Sequence, residues 1–519
     1  MRSGEAARSC SRDGSEPWAR RLGGVWTSAV LPRRRSRAST PRLRGVDDLT
    51  TAGVAETVRL TTSGETTARA VVDAALARIA AHDGALNAVS QLVADRARSD
   101  ADRLDAARAG GAVPGPLHGV PVVIKEELAV EGLVTTFGGE ANSTPAADDA
   151  EVVRRLRVAG AVVVATTTMP EFGAWPYTES SSRGYTRNPW DRTRTPGGSS
   201  GGTAAAVASG MVPVGLGGDG GGSIRIPSAH CGLFGLKPQR GRVTSAPHDH
   251  LWFALGTAGP LARSVLDSAL VYDVVRGHTD GDRWRAGSSG SFADAARREP
   301  GRLRIGWTTK PVTLGVRPDP VHVRAVQDTA RLLADLGHDV REVDPRYPDP
   351  TAAFVPQFLG GIRAEAAAVQ HPDRLERRTR ETCRLGAWVT PTVLDKALAL
   401  TEKVSEKANR VFDRVDVLLT PAVAHRPARV GVIDGKGTVR SALAAMPAIA
   451  YAALWNVAGN PAAAVPCGPA ADGLPVAVQL VGRTDDEATL LSLSAQLEAA
   501  RPWPLVAPVY DPSTGAAVA

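Results

Sequence analysis

The sequence predicts an α/β fold with a central mixed β-sheet covered by helices on both faces. Short apolar runs alternate with segments of helical periodicity along most of the chain, as expected for a mainly parallel or mixed sheet. Hydrophobic residues make up 43% of the 519 residues and charged residues 22%, which is a globular composition. A chain of this length can bury a large core as one unit.

The helices are predicted from periodicity and from their end signals. Val72, Leu76 and Ile79 recur at helical spacing, which predicts a helix that begins near Thr67. A second helix is expected over about residues 90–107. The remaining predicted helices share a recognisable stop or cap. They are Asp319 to Leu336 with Gly337 as the stop, and Thr484 to about Ala499 with Glu487 as the capping-box partner of Thr484.

Five short apolar runs, most of them bounded by glycine or proline, are the predicted strands. They are residues 120–124, 161–165, 303–307, 415–419 and 476–481. Residues 345–412 read as mostly helical, and we expect them to cover the active site. We predict one domain over residues 46–519, without internal repeats.

The basic charge of the chain is confined to one end. Residues 1–45 contain 11 arginines and three acidic residues, whereas the rest of the chain has 50 basic and 51 acidic residues. We therefore expect a disordered Arg-rich tail, or an upstream extension from a misassigned start, and no nucleic-acid-binding surface on the body. No apolar run approaches the length of a membrane span, and a twin-arginine signal around Arg20-Arg21 is disfavoured by the arginines that follow it.

The four cysteines show no paired spacing. Cys10, Cys231, Cys383 and Cys467 are far apart, which disfavours a zinc ribbon or a disulfide framework. Reduced cysteines in a cytoplasmic protein are the expectation.

Two glycine clusters that carry serines form the most informative part of the sequence. The first runs from Gly197 to Gly202 with Ser199 and Ser200, and the second from Gly217 to Ser223. Glycine is costly to order, so such clusters need a reason. Successive backbone amides of Gly220, Gly221, Gly222 and Ser223 directed at one oxygen atom would form an oxyanion hole for acyl transfer.

Two familiar motifs also match this region but lack their structural context. Residues 215–220 satisfy GxGxxG, yet further glycines and Pro227 follow where a helix should open, and arginines occupy the place of the acidic residue. Residues 197–201 satisfy GxSxG, yet the preceding segment reads as a loop and not as the strand of a nucleophile elbow. Both interpretations are disfavoured.

Lys125 is the candidate general base for a serine. The chain has 54 arginines and only seven lysines, and Lys125 ends an apolar strand. Burial disfavours the charged ammonium, and a neutral lysine can accept a proton, which arginine cannot do in proteins. The alternative is an ordinary ion pair of Lys125 with Glu126 or Glu127, and the residues alone do not choose between the two.

His248 and His250 offer a histidine base or two ligands of a metal. They lie in a polar segment after Pro247, which favours a solvated loop. Further metal ligands cannot be placed, so no metal site is predicted.

Together these residues resemble the amidase signature family over about residues 47–507. The similar segments are long and lie along the whole body of the chain. They are residues 119–126, 169–172, 188–191, 197–209, 217–243, 456–461 and 474–482. Two positions depart from the pattern: Gly220 replaces a Thr or Ile, and Thr168 replaces a common Asn.

The resemblance implies a Ser–cis-Ser–Lys triad. By motif position the nucleophile is Ser223, the serine after a cis peptide bond is Ser199, and the base is Lys125. The implied oxyanion hole consists of the four amides from Gly220 to Ser223. The implied reaction hydrolyses an amide through an acyl-serine and needs neither a cofactor nor a metal.

The implied function is a free-standing amidase that acts on a small-molecule amide, with a homodimer as the family-level expectation. The alternative is the amidase subunit of a tRNA-dependent glutamine amidotransferase. A nucleic-acid binder would depend only on residues 1–45. Specificity is expected in residues 172–182, 244–256 and 345–415, and the substrate itself cannot be read from the sequence.

Overall fold

An eleven-stranded sheet runs through the part of the chain that the computed structural model describes, residues 46–248 and 250–512. Its strands are β1 (Val89–Leu92), β2 (Pro121–Lys125), β3 (Val162–Thr167), β6 (Val214–Gly218), β7 (Phe234–Lys237), β8 (Ala258–Ala262), β9 (Arg304–Trp307), β10 (Asp339–Glu342), β11 (Val417–Pro421), β12 (Ala462–Pro469) and β13 (Pro475–Gly482). A two-stranded hairpin consists of β4 (Glu179–Ser180) and β5 (Gly184–Tyr185). The expectations about residues 1–45 lie outside the described residues.

The sheet is mixed, as the sequence predicted. Its strand order is β1-β3-β2-β6-β8-β7-β12-β13-β11-β9-β10. Strand β2 runs parallel to β3 and β6, and β9 runs parallel to β10 and β11. The other neighbours are antiparallel. The carboxyl ends of β2 and β6 therefore lie side by side at one edge of the sheet. Lys125 is the last residue of β2 at this edge, and the second glycine cluster continues from the end of β6.

Sixteen α-helices accompany the sheet within the described residues. They are α1 (Val46–Thr51), α2 (Val54–Ser63), α3 (Ala68–Leu86), α4 (Ala94–Ala109), α5 (Glu151–Val158), α6 (Gly201–Ala208), α7 (Arg225–Cys231), α8 (Val265–Val275), α9 (Phe292–Ala296), α10 (Pro320–Asp335), α11 (Thr351–Ala368), α12 (Arg377–Leu385), α13 (Pro391–Asn409), α14 (Thr438–Ile449), α15 (Ala453–Ala458) and α16 (Glu487–Ala500).

Helices cover both faces of the sheet because alternate strand residues point in opposite directions. On one face, Val122 and Ile124 share a buried core with helices α8, α10 and α16. On the other face, Val123 shares a second core with α3, α4 and α6. Full burial of one such aliphatic side chain stabilises the fold by about 1.5–3 kcal/mol.

Two predicted helix starts are wrong, each because a distant partner overrides the local pattern. Residues 90–107 were expected to form one helix, but Ser90 and Gln91 lie in β1, which pairs antiparallel with β3, and α4 begins only at Ala94. The last helix is capped by Asp486, whose side chain accepts a hydrogen bond from Thr489 N, and not by Thr484. The expected capping partner Glu487 instead binds the Arg242 guanidinium at 2.8 Å.

The remaining predicted elements are confirmed. The five predicted strands match β2, β3, β9, β11 and β13, and the predicted helices near Thr67 and Asp319 match α3 and α10. Residues 351–413 are mostly helical, in α11, α12, α13 and short 3-10 turns. In the described residues no helix is long and apolar enough to cross a membrane. Three cysteines, Cys231, Cys383 and Cys467, are free thiols, and Cys10 lies outside the described residues.

Candidate active site

Lys125 ends strand β2, an inner strand of the sheet, and is buried, with 1% of its surface exposed. Its Nζ atom donates to Ser199 Oγ at 2.8 Å and lies 2.9 Å from Glu127 Oε2. The sequence left open whether Lys125 faces a serine or a carboxylate, and in the structure it faces both. The carboxylate is that of Glu127, since Glu126 is bound elsewhere.

Glu126 is a buried structural carboxylate that joins three segments. Its side chain accepts hydrogen bonds from Ser90 Oγ at 2.5 Å, from the Thr136 hydroxyl, and from Met169 N at 3.1 Å. Burial raises the pKa of Glu126, although the nearby Arg183 and these hydrogen bonds oppose the rise. Glu126 therefore joins the segments around the end of β2, and the polar partners of Lys125 are Glu127 and Ser199.

Ser199 lies in the loop before α6, and the Gly198–Ser199 peptide bond is cis, as the resemblance implied. The next residue fixes this loop against the second glycine cluster. Ser200 Oγ donates to Gly218 O at 3.1 Å, and Ser200 N donates to Ser223 O at 3.3 Å. The two serine-bearing glycine loops are thus bonded to each other through Ser200.

Ser223 lies between β6 and α7, with 8% of its surface exposed. It is connected to the first loop through its carbonyl oxygen, which accepts from Ser200 N. Among the described residues, no hydrogen bond joins the Ser223 hydroxyl to the Ser199 hydroxyl. The structure therefore brings Lys125 and Ser199 into direct contact, and it joins Ser223 to Ser200, the neighbour of Ser199, through main-chain atoms.

The backbone amides of the second glycine loop differ in their partners. Gly222 N donates to Asp219 Oδ1 at 2.7 Å. The amides of Gly220, Gly221 and Ser223 have no hydrogen-bond partner within residues 46–248 and 250–512. Of the four amides expected to form the oxyanion hole, three therefore carry no hydrogen bond among the described residues, and the Gly222 amide is occupied because it closes a turn onto the Asp219 side chain.

Asp219 and Arg225 form a buried ion pair that sets the shape of this loop. Arg225 Nε lies 2.9 Å from Asp219 Oδ2, and both side chains are fully buried. Asn456 Nδ2 donates to Asp219 Oδ1 at 2.8 Å, and the Arg225 guanidinium donates to Gln479 Oε1 at 2.8 Å. Burial alone would raise the pKa of Asp219, but Arg225 and Asn456 hold it well below its usual range.

The sequence analysis missed this network. Its four members are charged or amide side chains inside otherwise apolar or glycine-rich motifs that the resemblance covers. Charged residues are rarely fully buried unless they are paired. Asp219 and Arg225, of opposite charge and six residues apart in such a motif, could therefore have indicated a buried ion pair.

We expect Asp219→Ala to destabilise the protein by about 3–5 kcal/mol, because it leaves the Arg225 guanidinium buried without its counter-ion. Urea unfolding followed by circular dichroism measures this change. The conservative variant Asp219→Asn should fall between the wild type and Asp219→Ala. A stability of Asp219→Ala within about 1 kcal/mol of the wild type, on the order of a surface substitution, would contradict a structural role for the pair.

His248 and His250, the alternative bases, make no hydrogen bond to Lys125, Ser199 or Ser223 among the described residues. His248 is exposed, and its backbone amide donates to Ser245 O at 3.0 Å. The His250 ring packs on Phe253, with 4.4 Å between ring centroids, and its Nδ1 accepts from Phe253 N at 3.2 Å. Asp249 between them is outside the described residues. In the described part of the chain, no group of three or more His, Cys, Asp or Glu side chains is arranged to hold a metal ion.

Thr168, one of the two departures from the family pattern, supports the start of α6. Its carbonyl oxygen accepts from Gly202 N at 3.2 Å, and its hydroxyl lies 2.7 Å from the Thr186 hydroxyl. Any side chain at Gly202 would collide with Thr168, since a Cβ atom there would lie 2.4 Å from Thr168 Oγ1. Thr168 thus helps to fix the helix that follows the Ser199 loop.

Comparison with known proteins identifies the class of molecule. The model of the Amidase family matches residues 70–491. "Putative amidase AmiB2" of Mycobacterium tuberculosis is 47% identical over 462 residues, which cover 88% of this chain and 97% of the relative. One component of the glutamyl-tRNA(Gln) amidotransferase of a Synechococcus species is more distant, at 35% identity over 84% of this chain and 94% of the relative.

Solved structures agree with this relationship. The 6-aminohexanoate cyclic dimer hydrolase matches with a TM-score of 0.81 and 31% identity, covering 88% of this chain and 98% of the other. A bacterial aryl acylamidase of the amidase signature enzymes matches with a TM-score of 0.80 and 28% identity, covering 90% and 99%. The fold and these relatives define a hydrolase that acts on amide bonds. The chain belongs to the amidase signature family.

Proposed function

We propose that the protein is a free-standing amidase in which Ser223 is the nucleophile, Ser199 relays its proton, and Lys125 is the base. The observation that carries this proposal is the 2.8 Å contact from the buried Lys125 Nζ to Ser199 Oγ. Ser223 Oγ attacks the amide carbon, and its proton passes through Ser199 to a neutral Lys125. The C–N bond then breaks as the leaving nitrogen takes a proton along the same path.

The second half of the proposed reaction is hydrolysis of an acyl-serine. Water attacks the ester carbon, and the same relay accepts the proton from water and returns one to Ser223 Oγ. The products are a carboxylate and ammonia or an amine. Glu127, 2.9 Å from Lys125 Nζ, stabilises the positive charge that Lys125 acquires when it accepts the proton.

The proposed oxyanion hole consists of the amides of Gly220, Gly221 and Ser223. They lie close together in one loop and carry no other hydrogen bond within the described residues. Gly222 contributes by shape, because its φ of +122° is accessible to glycine and its amide closes the loop onto Asp219. Removal of one oxyanion-hole donor in comparable sites costs about 10²–10³ in rate.

The alternative function is that of an amidase component which passes ammonia to a partner in a tRNA-dependent amidotransferase. The higher identity to the AmiB2 relative, 47% against 35%, favours the free-standing enzyme. The experiment is to purify the chain alone and measure ammonia released from simple amides. Hydrolysis without a partner supports the proposal, whereas activity that appears only with glutamine and a partner protein supports the alternative.

We further propose that residues 345–412 cover the substrate, and that the enzyme acts in the cytoplasm as a homodimer.

We also propose that residues 1–45 are dispensable. A chain lacking residues 1–45 should keep the melting temperature and the amidase rate of the full chain. The charge separation supports this expectation, since the body carries almost no net charge. A melting temperature lower by several degrees would show that the tail packs on the body.

A nucleic-acid-binding role would depend on the same segment. DNA binding that weakens with salt and disappears without residues 1–45 would support that role and contradict our proposal that these residues are dispensable.

A further inference from the structure

Three half-buried aromatic side chains form a continuous wall beside the second glycine loop. The rings of Trp252 and Phe358 meet edge to face at 5.3 Å, and those of Phe354 and Phe358 stack at 5.9 Å. Trp252 precedes β8, and the two phenylalanines lie on α11. Partly exposed rings that touch one another are a common lining of small-molecule sites.

This wall lies directly against the glycines of the proposed oxyanion hole. A Cβ atom at Gly220 would lie 2.7 Å from Trp252 Cε3, and one at Gly221 would lie 3.3 Å from Phe354 Cζ. Because the carbonyl oxygen of a bound amide would sit on the amides of these glycines, its substituent would be within van der Waals reach of the rings.

One carboxyl group accompanies the rings. Glu365 lies on α11, seven residues after Phe358 and therefore on the same side of the helix. Its Oε2 atom is closed off from solvent and has no hydrogen-bond partner among the described residues. Burial raises the pKa of Glu365 to about 8, with opposing contributions from Trp252 and Lys125 and a further raising one from Glu127. A carboxyl group that keeps its proton can donate a hydrogen bond.

We propose that this wall binds the substituent of the substrate amide, and that the substituent is bulky, apolar and uncharged, such as an aryl group. Glu365 supplies one hydrogen bond to a polar atom of the bound molecule. This inference rests on the proposed function, because it takes Ser223 and the neighbouring amides as the reacting site. It assigns the specificity of the enzyme to residues from two of the segments that the sequence left open, 244–256 and 345–415.

The same surroundings disfavour an amide that carries a carboxylate, such as glutamine. Its negative charge would be buried against the rings and near the Glu127 carboxylate, and Lys125 Nζ is already in contact with Glu127. Burying a charge without a partner is costly.

The experiment compares kcat/KM for phenylacetamide, acetamide and glutamine in the full chain and in two variants. The wild type should prefer phenylacetamide to acetamide by roughly 100-fold and should not measurably hydrolyse glutamine. Phe354→Ala should reduce the phenylacetamide-to-acetamide ratio by about tenfold or more. The control is Leu314→Ala, which removes an exposed apolar side chain outside the wall and outside residues 345–412, and it should leave the ratio unchanged.

The outcomes separate this inference from the proposed function. Equal use of the three amides, or an unchanged ratio in folded Phe354→Ala, would overturn the aromatic pocket and leave the amidase assignment standing. Labelling of Ser223 by a fluorophosphonate without hydrolysis of phenylacetamide would also overturn it. Failure of both labelling and hydrolysis would overturn the proposed function itself. If Phe354→Ala does not fold, Phe354→Leu tests the same ratio, because it also removes the ring.

Discussion

Ser223→Ala should reduce amide hydrolysis by roughly 10⁴-fold or more while the protein remains folded. The substitution removes the one oxygen atom proposed to bond to the substrate, and members of a catalytic triad act as a unit, so the remaining groups compensate little. The measurement is the rate of ammonia release together with the circular dichroism spectrum. In the wild type, a fluorophosphonate should label Ser223, which mass spectrometry of the digested protein locates.

Ser200→Ala is the matched control for this experiment. Ser200 lies beside Ser199 and bonds to Gly218, so its loss should weaken the loop without removing the nucleophile. It should keep fluorophosphonate labelling at Ser223, whereas Ser223→Ala should abolish labelling. Labelling at Ser199 in the wild type would contradict the assignment and favour a nucleophile in the first glycine loop.

Lys125→Ala should lose roughly 10³-fold or more of the rate, and Lys125→Arg should not restore it. The proposed base must release and accept a proton, and arginine keeps its proton in proteins. Loss of Lys125 also leaves the Glu127 carboxylate without its partner, so the activity must be separated from stability. The double variant Lys125→Met with Glu127→Gln removes both charges; it should fold well and remain inactive.

The histidine variants complete this test. His248→Ala and His250→Ala should keep rates within a few-fold of the wild type, since among the described residues no hydrogen bond or ion pair joins either ring to Lys125, Ser199 or Ser223. A folded but inactive histidine variant, or a Lys125→Arg enzyme with a near-normal rate, would contradict the lysine mechanism.

Much of the fold was predictable because its signals are local. The buried strand β2 appears in the sequence as an unbroken apolar run, and α10 is bounded by Asp319 and Gly337. The start of α4 was not predictable in the same way. Ser90 and Gln91 have helical neighbours in sequence, but their position is decided by pairing with β3, more than 70 residues away.

The candidate site shows the same difference between features that follow from local sequence and features that depend on distant residues. The serines and glycines that resemble a known motif could be proposed as site residues by position, and Lys125 was singled out as a rare lysine at a strand end. Rarity alone is a poor guide, since Lys237 is equally buried and donates to the carbonyl oxygen of Pro238. The occupied amide of Gly222 could not be predicted, because it depends on where the Asp219 side chain turns.

The choice between Ser199 and Glu127 as the partner of Lys125 also required coordinates. The sequence offered an acid two residues away and a serine 74 residues away, and only the three-dimensional position of the first glycine loop shows that both reach Nζ. The aromatic wall is likewise assembled from segments about a hundred residues apart, whose rings carry no periodic signal.

The positions of the partners of Asp219 and Arg225 in the sequence determine how early during synthesis the loop around Ser223 can reach its folded form. Asn456 and Gln479 follow them by more than 230 residues, in the last fifth of the chain. A nascent chain that has released only its first 440 residues contains every proposed catalytic side chain but lacks both residues that complete the network under the glycine loop. Since long-range contacts form slowly and a domain generally folds as a unit, catalytic competence should arise only when synthesis is nearly complete. We therefore expect a ribosome-bound fragment that already contains Ser223, the proposed nucleophile, to be inactive.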